Sequence, residues 1–269
     1  MERTYINEVQ KEIGSTVKVQ GFIENLRNSK YMAFIVLKDI TGKLQITVEK
    51  EDHPELVDTI DKLTPDSVIT VTGKVMENDY VKMGGVEMIP ESIEIESIAN
   101  ALPIVRKEIA ATKKKKAVER SSIDQRIDYR WIDLRTDENQ LMFKAQSCFV
   151  NAMRKFLLDR NFIEIHTPKL IAAASESGSE VFKVDYFDRN AYLAQSPKFY
   201  KQMAMAAGFE RIFETGPVFR AEKSYTNKHA TEFSGFDLEF SYITSFKDVM
   251  KMEEELLTAG LQAVKDSYG

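Results

Sequence analysis

Apolar and polar residues alternate along the first hundred positions. Thr16-Val17-Lys18-Val19-Gln20-Gly21-Phe22-Ile23 puts every second side chain on one face, as a half-buried strand does. Residues 32–37 predict a second strand, and Thr41-Gly42 a turn into a third over 44–48. A short helix is expected over 54–63, opened by Pro54, whose fixed φ suits a first turn. Strands over 67–75 and 86–98 follow. Beyond residue 120 the period changes. Leu141, Ala145, Cys148, Phe149, Ala152, Met153 and Phe156 recur at helical spacing, which predicts an amphipathic helix over 139–160. Strands are predicted over 162–166, 181–186, 191–194, 211–221 and 232–243, with helices over 198–207 and 246–269. No internal repeat is visible.

Three strands, a helix and two more strands within about 90 residues suit a small, all-β closed barrel of the OB type. The mixed second half, with helices flanking a mostly antiparallel sheet, reads as α+β. A domain organisation follows: a barrel over 1–100, a hinge over 101–120 and the α+β domain over 121–269. The hinge is drawn from Pro103, the basic Arg106-Lys107 and the lysine run 113–116. That run serves either as a solvated charge strip or as a strip facing nucleic-acid phosphates.

Composition narrows the classes. With 43% apolar and 29% charged residues the chain is an ordinary globular sequence. A net charge of −5 excludes a basic DNA-coating protein but leaves room for local basic patches. Residues 1–100 hold 11 Lys/Arg against 18 Asp/Glu, so the first half carries the negative charge. No apolar run approaches the ~20 residues that span a bilayer. Glu2, Glu8 and Glu12 argue against a secretory leader. The single cysteine, Cys148, sits on the apolar helix stripe and reads as a packing residue; one cysteine fits a reducing, cytoplasmic setting.

Candidate chemistry concentrates in one stretch. There is no Gly-x-Gly-x-x-Gly loop, no Walker lysine and no paired-cysteine site, and His53, His166 and His229 lack metal-ligand spacing. Residues 213–222, a polar cationic loop and residues 231–239 instead predict a long hairpin. Period-2 geometry puts Glu214, Val218, Arg220 and Glu222 on one face of the outgoing strand. Phe233, Gly235, Asp237 and Glu239 share a face of the return strand, with Phe236, Leu238 and Phe240 turned to a core. An arginine fork can hold a phosphate, a phenylalanine can stack on a base, and carboxylates can hold an amine. A ladder of salt bridges from Arg220 to Glu214 or Glu222 is the alternative use of the same residues.

Phe219-Arg220-Ala221-Glu222, then His229-Ala230-Thr231-Glu232-Phe233 and Asp237-Leu238-Glu239, resembles motif 2 of the class II aminoacyl-tRNA synthetases, and specifically the aspartyl-tRNA synthetases in their archaeal and eukaryotic-like form. Residues 162–168, ending in Thr167-Pro168, are similar to motif 1. Gln195-Ser196-Pro197-Lys198-Phe199-Tyr200-Lys201-Gln202 is similar to a substrate-binding segment of that family, and residues 126–135 to the start of its catalytic domain.

The resemblance implies an aspartate–tRNA ligase: ATP-dependent formation of aspartyl-adenylate, then transfer to the 3′ end of tRNA(Asp), with tRNA(Asn) a second candidate acceptor. It implies Arg220 on the α-phosphate, Glu222 on the adenine amine or holding the loop, His229 on the polyphosphate and Phe233 beneath adenine. Lys201 would take the aspartate side chain and Asp237 its ammonium. Glu176, with Ser177 and Gly178, belongs to a loop that closes over the amino acid. In the barrel, Arg27, Phe34, Gln45 and Glu87 correspond to anticodon-facing positions, Phe34 by stacking. A homodimer through motif 1 is implied, as are ATP and Mg2+, with the magnesium ligands outside these 269 residues.

Two departures stand out. Lys198 occupies a position where the family has glutamine, a ligand of the amino acid. No counterpart of motif 3 follows motif 2, so the chain reads as truncated, binding ATP or tRNA weakly without aminoacylation. A non-catalytic tRNA-binding paralogue, or a synthetase for asparagine or lysine, shares many of these residues.

Overall fold

A computed structural model describes residues 1–108, 118–174, 180–224, 226 and 228–269. The chain divides into two compact units, Met1–Ile132 and Asp133–Gly269.

The first unit is built on five strands: β1 (Thr16–Asn28), β2 (Met32–Lys38), β3 (Lys43–Glu49), β4 (Val68–Glu77) and β5 (Val86–Ser97). They close into a barrel in the order β1-β2-β3-β5-β4, all neighbours antiparallel except β3 and β5. Alternation dictates the interior: Val17, Val19, Ile35, Leu37, Leu44, Ile46, Ile69, Val71 and Met88 all point inward and are buried. β1 runs five residues beyond its predicted end at Ile23, because a bulge between Ile23 and Asn25 resets the alternation and keeps the strand paired with β2. β5 bulges opposite Gly73 of β4, with Glu91 as the extra residue, and a Cβ on Gly73 would overlap the Ile89 carbonyl. The predicted helix over 54–63 is a 3₁₀ turn, Pro54–Leu56, followed by the single turn α1 (Val57–Ile60).

A 3₁₀ helix over Ile6–Glu12, absent from the sequence-based expectation, buries Ile6 and Val9 in the barrel core. Asp39 ties it down, accepting bonds from the backbone N–H of Ile6 at 3.0 Å, Thr41 at 2.7 Å and Gly42 at 2.9 Å. In the segment after the barrel Ile104 is buried and Arg106 pairs with Asp66 at 2.7 Å. The lysine run 113–116 lies outside the described residues. α2 (Ile123–Asp128) and α3 (Arg130–Asp133) follow.

The second unit begins with α4 (Asp137–Leu158), capped by the Thr136 hydroxyl. Two sheets follow. β6 (Ile163–Glu164) pairs parallel to β10 (Arg211–Phe219), which pairs antiparallel to β11 (Glu232–Phe240). β7 (Leu170–Ile171), β8 (Lys183–Tyr186) and β9 (Arg189–Leu193) form the other, in the order β7-β9-β8. α5 (Lys198–Ala206) leads into β10, and α6 (Phe246–Tyr268) starts from a capping box of Ser245 and Asp248. Met153, Leu157, Phe162, Phe213 and Leu256 form the core, with Phe149, Phe236, Leu238 and Phe240 packed against it.

α4 and α6 approach closely because α6 has Gly260 at the contact, where a Cβ would lie 2.6 Å from Phe149. The amphipathic stripe of α4 is buried only from its middle onward. Leu141 is exposed, and Cys148 is half-buried with its sulfur 3.6 Å from the Ser267 hydroxyl.

Candidate active site and nucleic-acid interface

The ladder between β10 and β11 decides which side chains meet. Glu214 stands opposite Asp237, Gly216 opposite Gly235 and Val218 opposite Phe233. Arg220 lies just past β10, and its N–H continues the ladder to the Thr231 carbonyl at 2.9 Å. Glu214 and Val218, on the face predicted from period-2 spacing, are buried, and Arg220 and Glu222 lie past the end of β10. On the opposite face Phe213 enters the core, with Phe236, Leu238 and Phe240 packed against it. Paired glycines leave a shelf between Phe233 at one end and Asp237 at the other, over which the ends of Glu214, Lys169 and Asp237 reach.

Arg220 is not tied into a salt-bridge ladder. Among the described residues no carboxylate pairs with it, its Nε has no hydrogen-bond partner, and its guanidinium sits 5.6 Å from the centre of the Phe233 ring. Phe233 is 39% exposed. A half-buried guanidinium beside an open aromatic face is an arrangement that can take a phosphate and a base together.

At the other end of the shelf Lys201, on α5, reaches Asp237 at 3.0 Å and Glu239 at 3.5 Å. Lys201 is largely buried. The expected amino-acid ligands Lys201 and Asp237 therefore meet directly, while Lys198, at the start of α5, is exposed. Glu222 and His229 are exposed in the connecting segment, His229 with its Nδ1 2.7 Å from the Thr226 hydroxyl. Glu176, Ser177 and Gly178 lie outside the described residues. Among the described residues no group of three or more His, Cys, Asp or Glu side chains is arranged to hold a metal ion.

Two residues on the shelf escaped sequence reasoning. Lys169 bonds Glu214 at 2.8 Å, and Thr167 donates both its backbone N–H (2.9 Å) and its hydroxyl (2.7 Å) to the same carboxylate. Burial alone would raise the pKa of Glu214; the bonds from Lys169 and Thr167 outweigh it and hold the carboxyl below its ordinary range. Lys169 and Thr167 come from the segment around β7, too short in strand to carry a period-2 signal.

The outer face of the barrel carries the other candidates. Arg27 on β1 pairs with Phe34 on β2, and Phe34 with Thr47 on β3, one row across three strands. Arg27 is exposed and Phe34 half-exposed. Gln45 stands beside Glu87, which accepts from Asn78 at 2.7 Å, Gln45 at 3.3 Å and the Thr47 hydroxyl. Thr47 and Asn78 join this surface unpredicted. Thr47 could have been found as the next outward position after Gln45.

Residues 122–268 match the family described as tRNA synthetases class II (D, K and N). The chain belongs to that family. Residues 17–96 of this synthetase chain match the OB-fold nucleic acid binding domain. An Aspartate--tRNA(Asp/Asn) ligase of Methanopyrus kandleri is 44% identical over 94% of the chain, and an Aspartate--tRNA(Asp) ligase of Picrophilus torridus 41% identical over 94%. The synthetase chain spans 57% of the length of each. Among solved structures, asparaginyl-tRNA synthetase from Pyrococcus horikoshii, complexed with asparaginyl-adenylate, is similar at a TM-score of 0.88 and 30% identity, covering 99% of this chain and 59% of that one. Aspartyl tRNA synthetase from Entamoeba histolytica follows at 0.78 and 30%, covering 100% and 58%. Among the described residues no helix is long and apolar enough to cross a membrane.

Proposed function

We propose that the chain supplies the adenylate-forming hairpin and the anticodon-binding barrel of an aspartate–tRNA ligase. The observation that carries this reading is Arg220, unpaired among the described residues and set against the exposed Phe233 ring at one end of a glycine-floored shelf.

In this reading adenine lies on Phe233, its amine within reach of Glu222, and His229 meets the polyphosphate. Arg220 holds the α-phosphate. An oxygen of the aspartate α-carboxylate attacks the α-phosphorus, the bond to the β-phosphate oxygen breaks, and pyrophosphate leaves. Arg220 stabilises the charge that spreads over the phosphoryl oxygens, and positioning lowers the barrier without a side-chain nucleophile. Lys201 receives the aspartate side-chain carboxylate, exchanging it for part of its present pairing. Asp237, so released, receives the ammonium, for which Glu176 is the second partner in this reading, and Lys198 serves the edge of the amino-acid site. A ribose hydroxyl at the tRNA 3′ end then attacks the aspartyl carbonyl and AMP leaves.

On the barrel, Phe34 stacks on an anticodon base, Arg27 meets the backbone, and Gln45 and Glu87 read base edges. The segment 162–168 pairs with a second copy to form a homodimer. Magnesium, when bound with ATP, neutralises charge on the phosphates.

The experiment is calorimetry of this chain with non-hydrolysable sulfamoyl mimics of aspartyl- and lysyl-adenylate. The expected result is preference for the aspartyl mimic by at least about tenfold, the scale of one well-placed ion pair. Equal affinity, or no heat with either, overturns the reading.

A further inference from the structure

Glu214 and Asp237 stand directly opposite each other in the ladder. Two like charges in that position repel. Here each has its own lysine, Lys169 on Glu214 at 2.8 Å and Lys201 on Asp237 at 3.0 Å, and the two lysines come from different elements. Glu214 is almost wholly buried, with a side chain 4% exposed, whereas Asp237 is 30% exposed and Glu239 36%. Lys169 is close to the shelf itself: a Cβ on Gly216 would lie 3.8 Å from its ammonium and 3.5 Å from Glu214 Oε1.

The shelf thus carries three cations, Arg220, Lys169 and Lys201, against three carboxylates, Glu214, Asp237 and Glu239. We propose that Lys169 is a positioning residue that sets the charge of the amino-acid subsite: by neutralising Glu214 it leaves Lys201 able to receive an anionic side chain. The inference rests on the reading of the hairpin as an adenylate site. Without Lys169 the Glu214 carboxylate adds an unbalanced negative charge directly across the ladder from Asp237, the partner of Lys201. That charge opposes an acidic side chain and leaves an amide side chain nearly unaffected. Thr167 keeps Glu214 in place in either case, through two bonds that do not depend on the lysine. Glu214 lies below the ordinary carboxylate range and is ionised at neutral pH, as this balance requires.

The test is the ratio of affinities of this chain for the aspartyl and asparaginyl sulfamoyl-adenylate mimics, measured by calorimetry. Lys169→Met is expected to move the ratio by about tenfold toward the asparaginyl mimic. Glu214→Gln, which keeps a hydrogen-bonding group but removes the charge, is expected to move it the other way. Lys169→Arg should keep the wild-type ratio. A merely structural pair predicts that Met and Gln variants weaken both mimics equally, and that result overturns the inference alone. If Lys169→Met fails to fold, the opposite-signed shift in Glu214→Gln still decides. A wild-type chain that binds neither mimic overturns the underlying reading, and the inference with it.

Discussion

Gly216 and Gly235 face each other across the β10–β11 ladder, and their missing Cβ atoms leave the room into which Glu214, Lys169 and Asp237 reach. A Cβ on Gly235 would stand 3.0 Å from Asp237 Oδ2. Gly235→Ala therefore pushes on Asp237, whereas Gly216→Val fills the shelf beside Lys169. Both variants should lose affinity for an aspartyl-adenylate mimic by tenfold or more, on the order of the ~1–3 kcal/mol that overpacking costs. Far-UV melting should stay close to wild type for Gly235→Ala, because its clash is with a side-chain end. Retained affinity in both would mean that nothing lies on the shelf.

Gly260 supplies a prediction whose sign opposes helix propensity. In an exposed helix, glycine to alanine stabilises by ~1 kcal/mol. At Gly260 the new Cβ would stand 2.6 Å from Phe149 Cε2 and 3.0 Å from Met153 Cγ. Gly260→Ala should destabilise the second unit by about 1–3 kcal/mol in urea melts. An increase in stability would show that α4 and α6 are not packed as closely as described.

Asp39 makes the barrel acid-sensitive. Burial favours its neutral form, but the Thr41 hydroxyl and the backbone N–H groups of Ile6, Thr41 and Gly42 together hold its pKa below the ordinary 3.8. A carboxyl depressed by folding stabilises the fold fully above 3.8, and that stability is lost as pH falls through the lowered native value. Asp39→Asn removes the titration and leaves buried donors poorly matched, so it should cost ~1–3 kcal/mol at pH 7. Its unfolding midpoint should also respond less to acid than that of the wild type. Parallel acid titrations of the two would contradict the assignment.

Phe34 lies between Arg27 and Thr47 on the outer barrel face. Phe34→Ala should weaken binding of an aspartate-type anticodon stem-loop by ~1–3 kcal/mol, the range for one stacked base. Arg27→Ala should instead reduce the salt dependence of binding. Stem-loop affinity unaffected by Phe34→Ala would remove the stacking role.

The hairpin was legible in the sequence because both of its strands are long enough for alternation to separate a polar face from a core face. Glu214, Arg220, Phe233 and Asp237 fall on the polar face, and Phe236 and Leu238 opposite it. Lys169 and Thr167 were not legible. They sit 45 and 47 residues from Glu214, on a segment whose strands are two residues long. Strict alternation stops at Ile23, where a bulge breaks it, so the pattern alone does not reveal that β1 continues to Asn28. The 3₁₀ helix over Ile6–Glu12 carries only Ile6 and Val9 as buried residues, a three-residue spacing within polar sequence that does not stand out. The Lys201 pairing with Asp237 and Glu239 joins two elements, and only the packing of α5 against β11 reveals it.

The reading of the hairpin depends most directly on the guanidinium of Arg220. Titrating the aspartyl sulfamoyl-adenylate mimic into wild-type chain and Arg220→Ala should show a loss of about 10- to 100-fold, the worth of charge-assisted bonds to a phosphate-like group. Arg220→Lys should recover only part of it, since an ammonium cannot reproduce the bidentate fork. Wild-type affinity in Arg220→Ala would contradict an adenylate cradle at this site.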